Sequence, residues 1–248
     1  MSISQKKRKL DLILVEKGLV PSRKHAQSLI MAGKVLVKNQ RVDKPGTLVS
    51  RDDNIVLKGE DIAYVSRGGD KIEKALQVFK IQVKGLICLD VGASTGGFTD
   101  CLLQHGARRV FAIDVGYGQL AWKLRQDPRV VVVERTNIRH MPVDIITMPV
   151  DIITIDVSFI SLKIVVPAVL KFMEKNTRII ALIKPQFEVG KGTVGKGGVV
   201  RDPAQHDAVI KDLTIFLKEI NLICVSVTTS PVLGPKGNKE FFMYLKRL

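Results

Sequence analysis

Apolar residues recur at helical spacing over residues 10–17 and again over 22–32, where Ser22 can cap the second helix after Pro21 and Gly33 can end it. Val35 and Val37 then alternate with Lys34 and Lys38, a turn falls near Asn39 and Gln40, and Pro45–Gly46 closes another. This first unit, residues 1–60, reads as two helices and a small sheet. A joining segment, 61–69, ends in Gly68 and Gly69, which would allow a bend before a helical pattern over 70–79. From there to residue 248 apolar runs at 86–89, 110–115, 130–133, 151–157, 178–184, 222–228 and 241–246 alternate with helical patterns. That alternation predicts an α/β fold with a doubly wound sheet, parallel in its main part, and the last two runs form a hairpin at one end. The heptapeptide MPVDIIT occurs at 141–147 and again at 148–154. Only the second copy continues into a strand, so the first is expected to be a connecting turn or short helix.

The stretch DVGASTGGF, 90–98, follows the first run of the second unit. A buried strand ending in a tight Gly turn that opens a helix lets backbone approach a nucleotide closely. Asp114 ends the next run, where a carboxylate can accept hydrogen bonds from a ribose diol. Candidate donor contacts are therefore Asp90, Gly92, Ala93, Ser94, Gly96, Gly97, Phe98 and Asp114. A dinucleotide fold wants Gly at the middle position so that backbone reaches a pyrophosphate; here it is Ser94, which favours S-adenosylmethionine over NAD. Gly92 to Gly96 also matches the GxSxG nucleophile elbow, but a hydrolase needs a following acid and then a His, and His206 reads as part of an exposed helix start. A Gly-rich turn needed only for packing is the plainer alternative.

With 248 residues, 46% of them hydrophobic, the chain can bury a full core. Cys88, Cys101 and Cys224 form no CxxC pair, which suggests core thiols of a reducing compartment rather than a metal site or disulfides. No signal peptide or membrane span is evident, so a cytoplasmic protein without stable membrane insertion is expected. Net charge is +15, of which residues 1–60 carry +7, a density that points to a polyanion partner, with a membrane surface as competitor.

Residues 10–57 resemble an S4-type RNA-binding domain along nearly their whole length. Arg23 and Lys24 on the second helix, with Lys34, Lys38, Arg41 and Lys44 on the strands and turns, could line one groove and hold phosphates of folded RNA. Aromatic residues are almost absent there, so shape and backbone recognition should dominate over base stacking. Singly, each cation is an ordinary solvated side chain; the cluster carries the reading.

In the second unit four charged residues fall where reacting groups of open α/β sheets collect. Asp156 and Lys184 end strands, Glu240 opens the last one, and Lys71 follows Gly68–Gly69. The segments SRGGDK, DVGASTGGFTD, DVSFISL, KPQFE and NKEFF resemble the TlyA, or hemolysin A, family of RNA 2'-O-methyltransferases, a branch of the FtsJ-like fold. The resemblance covers essentially the whole chain. It implies a Rossmann-like methyltransferase domain over 70–248, a Lys-Asp-Lys-Glu tetrad at Lys71, Asp156, Lys184 and Glu240, and Asn137 near the adenine of the donor. It further implies ribosomal RNA or ribosomal subunits as partner and a cytidine ribose as target, without a metal. Lys184 would contact the ribose oxygen, either as an ammonium stabilising the alkoxide or as an amine taking its proton. These roles need opposite charge states, and Asp156 favours the first. Residues 187–202, rich in Gly, lack Walker spacing and read as a loop that closes over bound ligands. A haemolytic, membrane-active protein and a non-catalytic RNA-binding assembly factor are the competing functions.

Overall fold

A computed structural model describes residues 7–20, 22–57, 63–190, 195 and 197–248, and the chain divides into two units, Met1–Val65 and Ser66–Leu248. The first contains β1 (Arg8–Lys9), α1 (Leu10–Glu16), α2 (Arg23–Met31), β2 (Val35–Val37), β3 (Gln40–Val42), β4 (Leu48–Val49) and β5 (Ile55–Leu57). Strands β3, β2 and β5 form one antiparallel sheet, while β1 pairs with β4. Ser22 caps α2 by accepting from the His25 N–H at 3.2 Å. Gly33, at φ +66°, supplies the left-handed residue that stops it. Leu10, Ile13 and Leu14 of α1, Ala26 and Ile30 of α2, and Val35 and Val37 of β2 are buried together, so the helical and alternating periodicities meet in one small core.

The second unit begins with α3 (Gly68–Val78), and here the joining segment departs from expectation. Gly68 and Gly69 do not form a bend; they are the first turn of the helix. Their reason is proximity: a Cβ on Gly97 would stand 2.9 Å from the Gly69 nitrogen and 3.0 Å from the Gly68 Cα, so glycines let two chain segments touch. Residues 61 and 62 of the segment lie outside the described residues.

The unit continues with β6 (Ile87–Val91), α4 (Gly97–Gln104), β7 (Arg109–Ile113), α5 (Trp122–Arg125), β8 (Val130–Val133), β9 (Val150–Ile155), α6 (Leu162–Val169), β10 (Met173–Ile183), α7 (Pro203–Glu219), β11 (Leu222–Thr229) and β12 (Phe241–Arg247). Its seven-stranded sheet has the order β11-β12-β10-β9-β6-β7-β8. Strands β6 to β10 run parallel, and β12 lies antiparallel between β10 and β11. Chain direction across the sheet reverses between β6 and β9, which opens a crevice at their carboxyl ends. Nearly continuous apolar β6, β9 and the second half of β10, Ile179–Ile183, are buried on both faces, as a helix-covered parallel sheet requires. The first MPVDIIT copy supplies only a short 3-10 turn, Val143–Ile145, whereas the second enters β9. Among the described residues no helix is long and apolar enough to cross a membrane.

Candidate active site

Because β6 and β9 separate at the reversal point, the turn after β6 and the carboxyl end of β9 face each other. Gly92, at φ +86°, is forced to be glycine by that approach, since its Cβ would lie 2.3 Å from the Asp156 carbonyl oxygen. Ser94 also takes a left-handed backbone, φ 50°, and its N–H donates to Asp114 at 2.7 Å. The other Asp114 oxygen accepts from the Gly116 N–H at 2.7 Å, so the carboxylate is fixed in place while each oxygen retains acceptor capacity.

Two adjoining cavities occupy the crevice. One, of about 480 Å³, has an apolar wall including Ile113, Ile138, Val157 and Val165, with Asp114, Gln119 and Asn137 among its polar groups. The other, of about 270 Å³, is lined by Lys71, Asp156, Lys184 and Glu240 together with Ala93, Gly97 and Phe98. Gly92, Ser94 and Asp156 border both, so an apolar compartment opens beside a charged one. This arrangement suits a nucleoside bearing a polar, charged tail.

The charged compartment contains two ion pairs. Lys71 of α3 donates to Glu240 at 2.6 Å, with side-chain exposures of 11% and 0%. Lys184 lies 2.5 Å from Asp156 and donates to the Ser158 hydroxyl at 2.9 Å. Glu240 can reach this end of the sheet only because β12 is antiparallel: the start of that strand, rather than its end, lies beside the carboxyl ends of its neighbours. Ser158 went unnoticed in the sequence, although its place two residues after Asp156 in DVSFISL was the available signal.

The sequence-derived donor set divides on the structure. Asp90 does not reach either cavity: it is fully buried, and its carboxylate accepts from Thr99 at 2.7 Å and Thr154 at 2.9 Å. It therefore ties β6 to α4 and β9 beneath the turn, and burial pushes its carboxyl up to about 6, with the nearby Asp156 charge adding to the rise and the threonine hydroxyls opposing it. Gly96 also lies away from the cavities, and at φ +94° a Cβ there would meet Leu120 and Leu124. His206 is corrected too. It is buried, its Nε2 is 3.0 Å from the Val200 carbonyl, and its ring packs on Phe241.

Around residues 187–202 the structure describes a 3-10 turn, Pro185–Phe187, and a bridge between Gly195 and Val199. The expected closing loop falls partly on 191–194 and 196, outside the described residues. Glu188 just before them accepts from the Ser161 hydroxyl at 2.6 Å and the Leu162 N–H at 2.8 Å, capping α6; its burial raises the carboxyl above the ordinary range.

In the first unit all six candidate RNA contacts are exposed. Arg23 and Lys38 are not bare cations, however. Arg23 Nε donates to the buried Asp11 at 2.7 Å, and Lys38 lies 3.0 Å from Asp53. The Arg41 guanidinium rests over Gly33, where a Cβ would come within 2.0 Å of it.

A reversal-point crevice, a Gly turn after the first strand and an antiparallel strand beside a parallel sheet define a Rossmann-like methyltransferase, here following a small α+β unit. The chain belongs to the FtsJ-like methyltransferase family, whose model matches residues 64–247, and an S4 domain model matches residues 8–55. It is 47% identical over 239 residues to the 16S/23S rRNA (cytidine-2'-O)-methyltransferase TlyA of Mycobacterium tuberculosis, covering 96% of this chain and 89% of that one. Hemolysin A of Brachyspira hyodysenteriae is 40% identical over 95% of this chain and 98% of its own. A solved structure from Streptococcus thermophilus, named provisionally as a hemolysin, superposes with a TM-score of 0.77 at 42% identity, covering 98% of this chain and 90% of the other.

Proposed function

We propose that this protein is an S-adenosyl-L-methionine-dependent 2'-O-methyltransferase of ribosomal RNA, acting on a cytidine ribose in the cytoplasm. The observation that carries the reading is the pairing of Lys71 with Glu240 and Lys184 with Asp156 inside a compartment that opens directly onto the nucleoside-shaped cavity. The residues present fit the donor. Asp114 and Asn137 would hold its nucleoside, and Gly92, Ala93, Ser94, Gly97 and Phe98 would border its amino-acid end. Bound there, the donor supplies a methyl carbon made electrophilic by a positive sulfur.

The chain's part is to present a ribose oxygen and stabilise its developing negative charge. An ammonium has three N–H groups; Lys184 donates one to Ser158 and lies in ionic contact with Asp156, so N–H capacity remains for the ribose oxygen. Neutralisation by Asp156 favours an ammonium, so Lys184 acts electrostatically and the hydroxyl proton goes to water. Lys71 adds a second positive charge to the compartment, held by Glu240. The exposed cations of the first unit would dock folded RNA through its phosphates. A relative named as a methyltransferase of both 16S and 23S rRNA supports the choice of ribosomal RNA.

The test is mass mapping of ribosomal RNA after incubation of ribosomal subunits with the protein and labelled donor. One methyl group on a cytidine ribose is the expected product. Label on a base, or no label in either subunit, would overturn the assignment.

A further inference from the structure

Gly234 lies in the loop between β11 and β12 and lines the charged compartment. Its backbone does not call for glycine, since φ −70° and ψ −177° are open to any residue. What does call for it is a neighbour: a Cβ at this position would stand 2.0 Å from Glu240 Oε1 and 2.5 Å from its Cδ.

Such a clash would be trivial if the carboxylate could swing aside, but two observations oppose that. Glu240 is 1% exposed on the wall of the compartment, so any swing would carry its carboxylate away from Lys71. Its Oε1 has no hydrogen-bond partner among the described residues, so the bond from Lys71 at 2.6 Å to Oε2 is what anchors the group. Gly234 cannot easily retreat either, because its N–H donates to the Asn238 carbonyl at 2.8 Å and its carbonyl accepts from Gly237 at 3.1 Å.

We propose that Gly234 is a positioning residue for methyl transfer: the missing side chain is the seat of the Glu240 carboxylate, and through it of the Lys71 ammonium. The proposal rests on the reading of Lys71 and Glu240 as part of the reacting compartment. A methyl group at position 234 would push the carboxylate off Lys71 without straining the backbone.

The experiment compares Gly234→Ala with Gly46→Ala, whose Cβ would meet nothing within 4 Å. A displacement of about 1 Å in such a site typically costs about 100-fold, so G234A is expected to lower kcat by about that factor while KM for the donor stays near wild type, and parting the buried pair should lower the melting midpoint without abolishing the folded state. G46A should match wild type. In a Glu240→Ala background the clash has no partner, so G234A should add no further loss. Wild-type kcat in G234A, or an equal loss in both backgrounds, would overturn the inference. A crystal structure of G234A reads the seat independently of any assay: a carboxylate moved away from Lys71 is expected, and an undisturbed pair overturns the proposal. Full activity of E240A alone would instead overturn the reading of the compartment beneath it.

Discussion

The same lysine, arginine and carboxylate chemistry occurs in both units, in opposite surroundings. In the first unit the Arg23 and Lys38 side chains are 53% and 70% exposed. At the sheet end Lys71 and Lys184 are 11% and 10% exposed. Exposed charges act through number and reach; salt screens them and their effects nearly add. Buried pairs depend on geometry, because a charge left without its partner keeps the cost of dehydration. Apart from Arg23, whose partner Asp11 is buried, the candidate cations of the first unit should tolerate single changes and the sheet end should not, a contrast that follows from burial rather than from residue type.

The largest effect should come from the buried side. Lys184→Ala removes the ammonium proposed to face the ribose oxygen and should lower kcat by at least about 100-fold, with donor affinity nearly intact. A variant that turns over normally while binding donor would erase the distinction between the units. A smaller, graded effect is expected at the exposed side. Replacing Arg23 and Lys24 by alanine should weaken RNA binding and lower the slope of log affinity against log salt by about 2, leaving turnover on saturating RNA unchanged. An unaltered slope would remove both side chains from the interface. Smallest is Asp90→Asn, which probes a buried carboxyl held by the Thr99 and Thr154 hydroxyls and the Thr99 backbone. Asp90 holds its proton up to about 6 in the fold, above the ordinary value of 3.8. The folded state then binds the proton more tightly, so this group's contribution is full below the ordinary value and falls as pH rises to about 6. D90N should remove that fall: it should gain stability relative to wild type at neutral pH and converge with it near pH 4, as read from denaturation midpoints. Parallel pH profiles of the two proteins would refute the assignment.

Hydrophobic period made the elements legible, since every strand of the second unit leaves an apolar run and the helices of the first carry a clean apolar stripe. It also placed Asp156 and Lys184, because strand ends are visible where an apolar run meets a charge. Contact partners were another matter. Glu240 and Lys71 are 169 residues apart, and only the antiparallel insertion of β12 brings them together, which no local pattern encodes. Asp90 looked like a ligand because it borders the Gly turn, yet β-strand alternation turns it toward Thr99 and Thr154. His206 and the Gly68–Gly69 pair were misread for a related reason: charged or Gly-rich surroundings suggest solvent or a bend, while the decisive fact is what packs across from them.

The insertion of β12 between β10 and β11 has a consequence for assembly on the ribosome. Among the described strands β11 pairs only with β12, so it has no edge to join until its later-made neighbour is available. A nascent chain that has extruded residues up to 229 would carry Lys71, Asp156 and Lys184 but neither the closing hairpin nor the counter-ion of Lys71. Competence for methyl transfer would thus arrive in one late docking step, long after the exposed cations of the first unit have emerged.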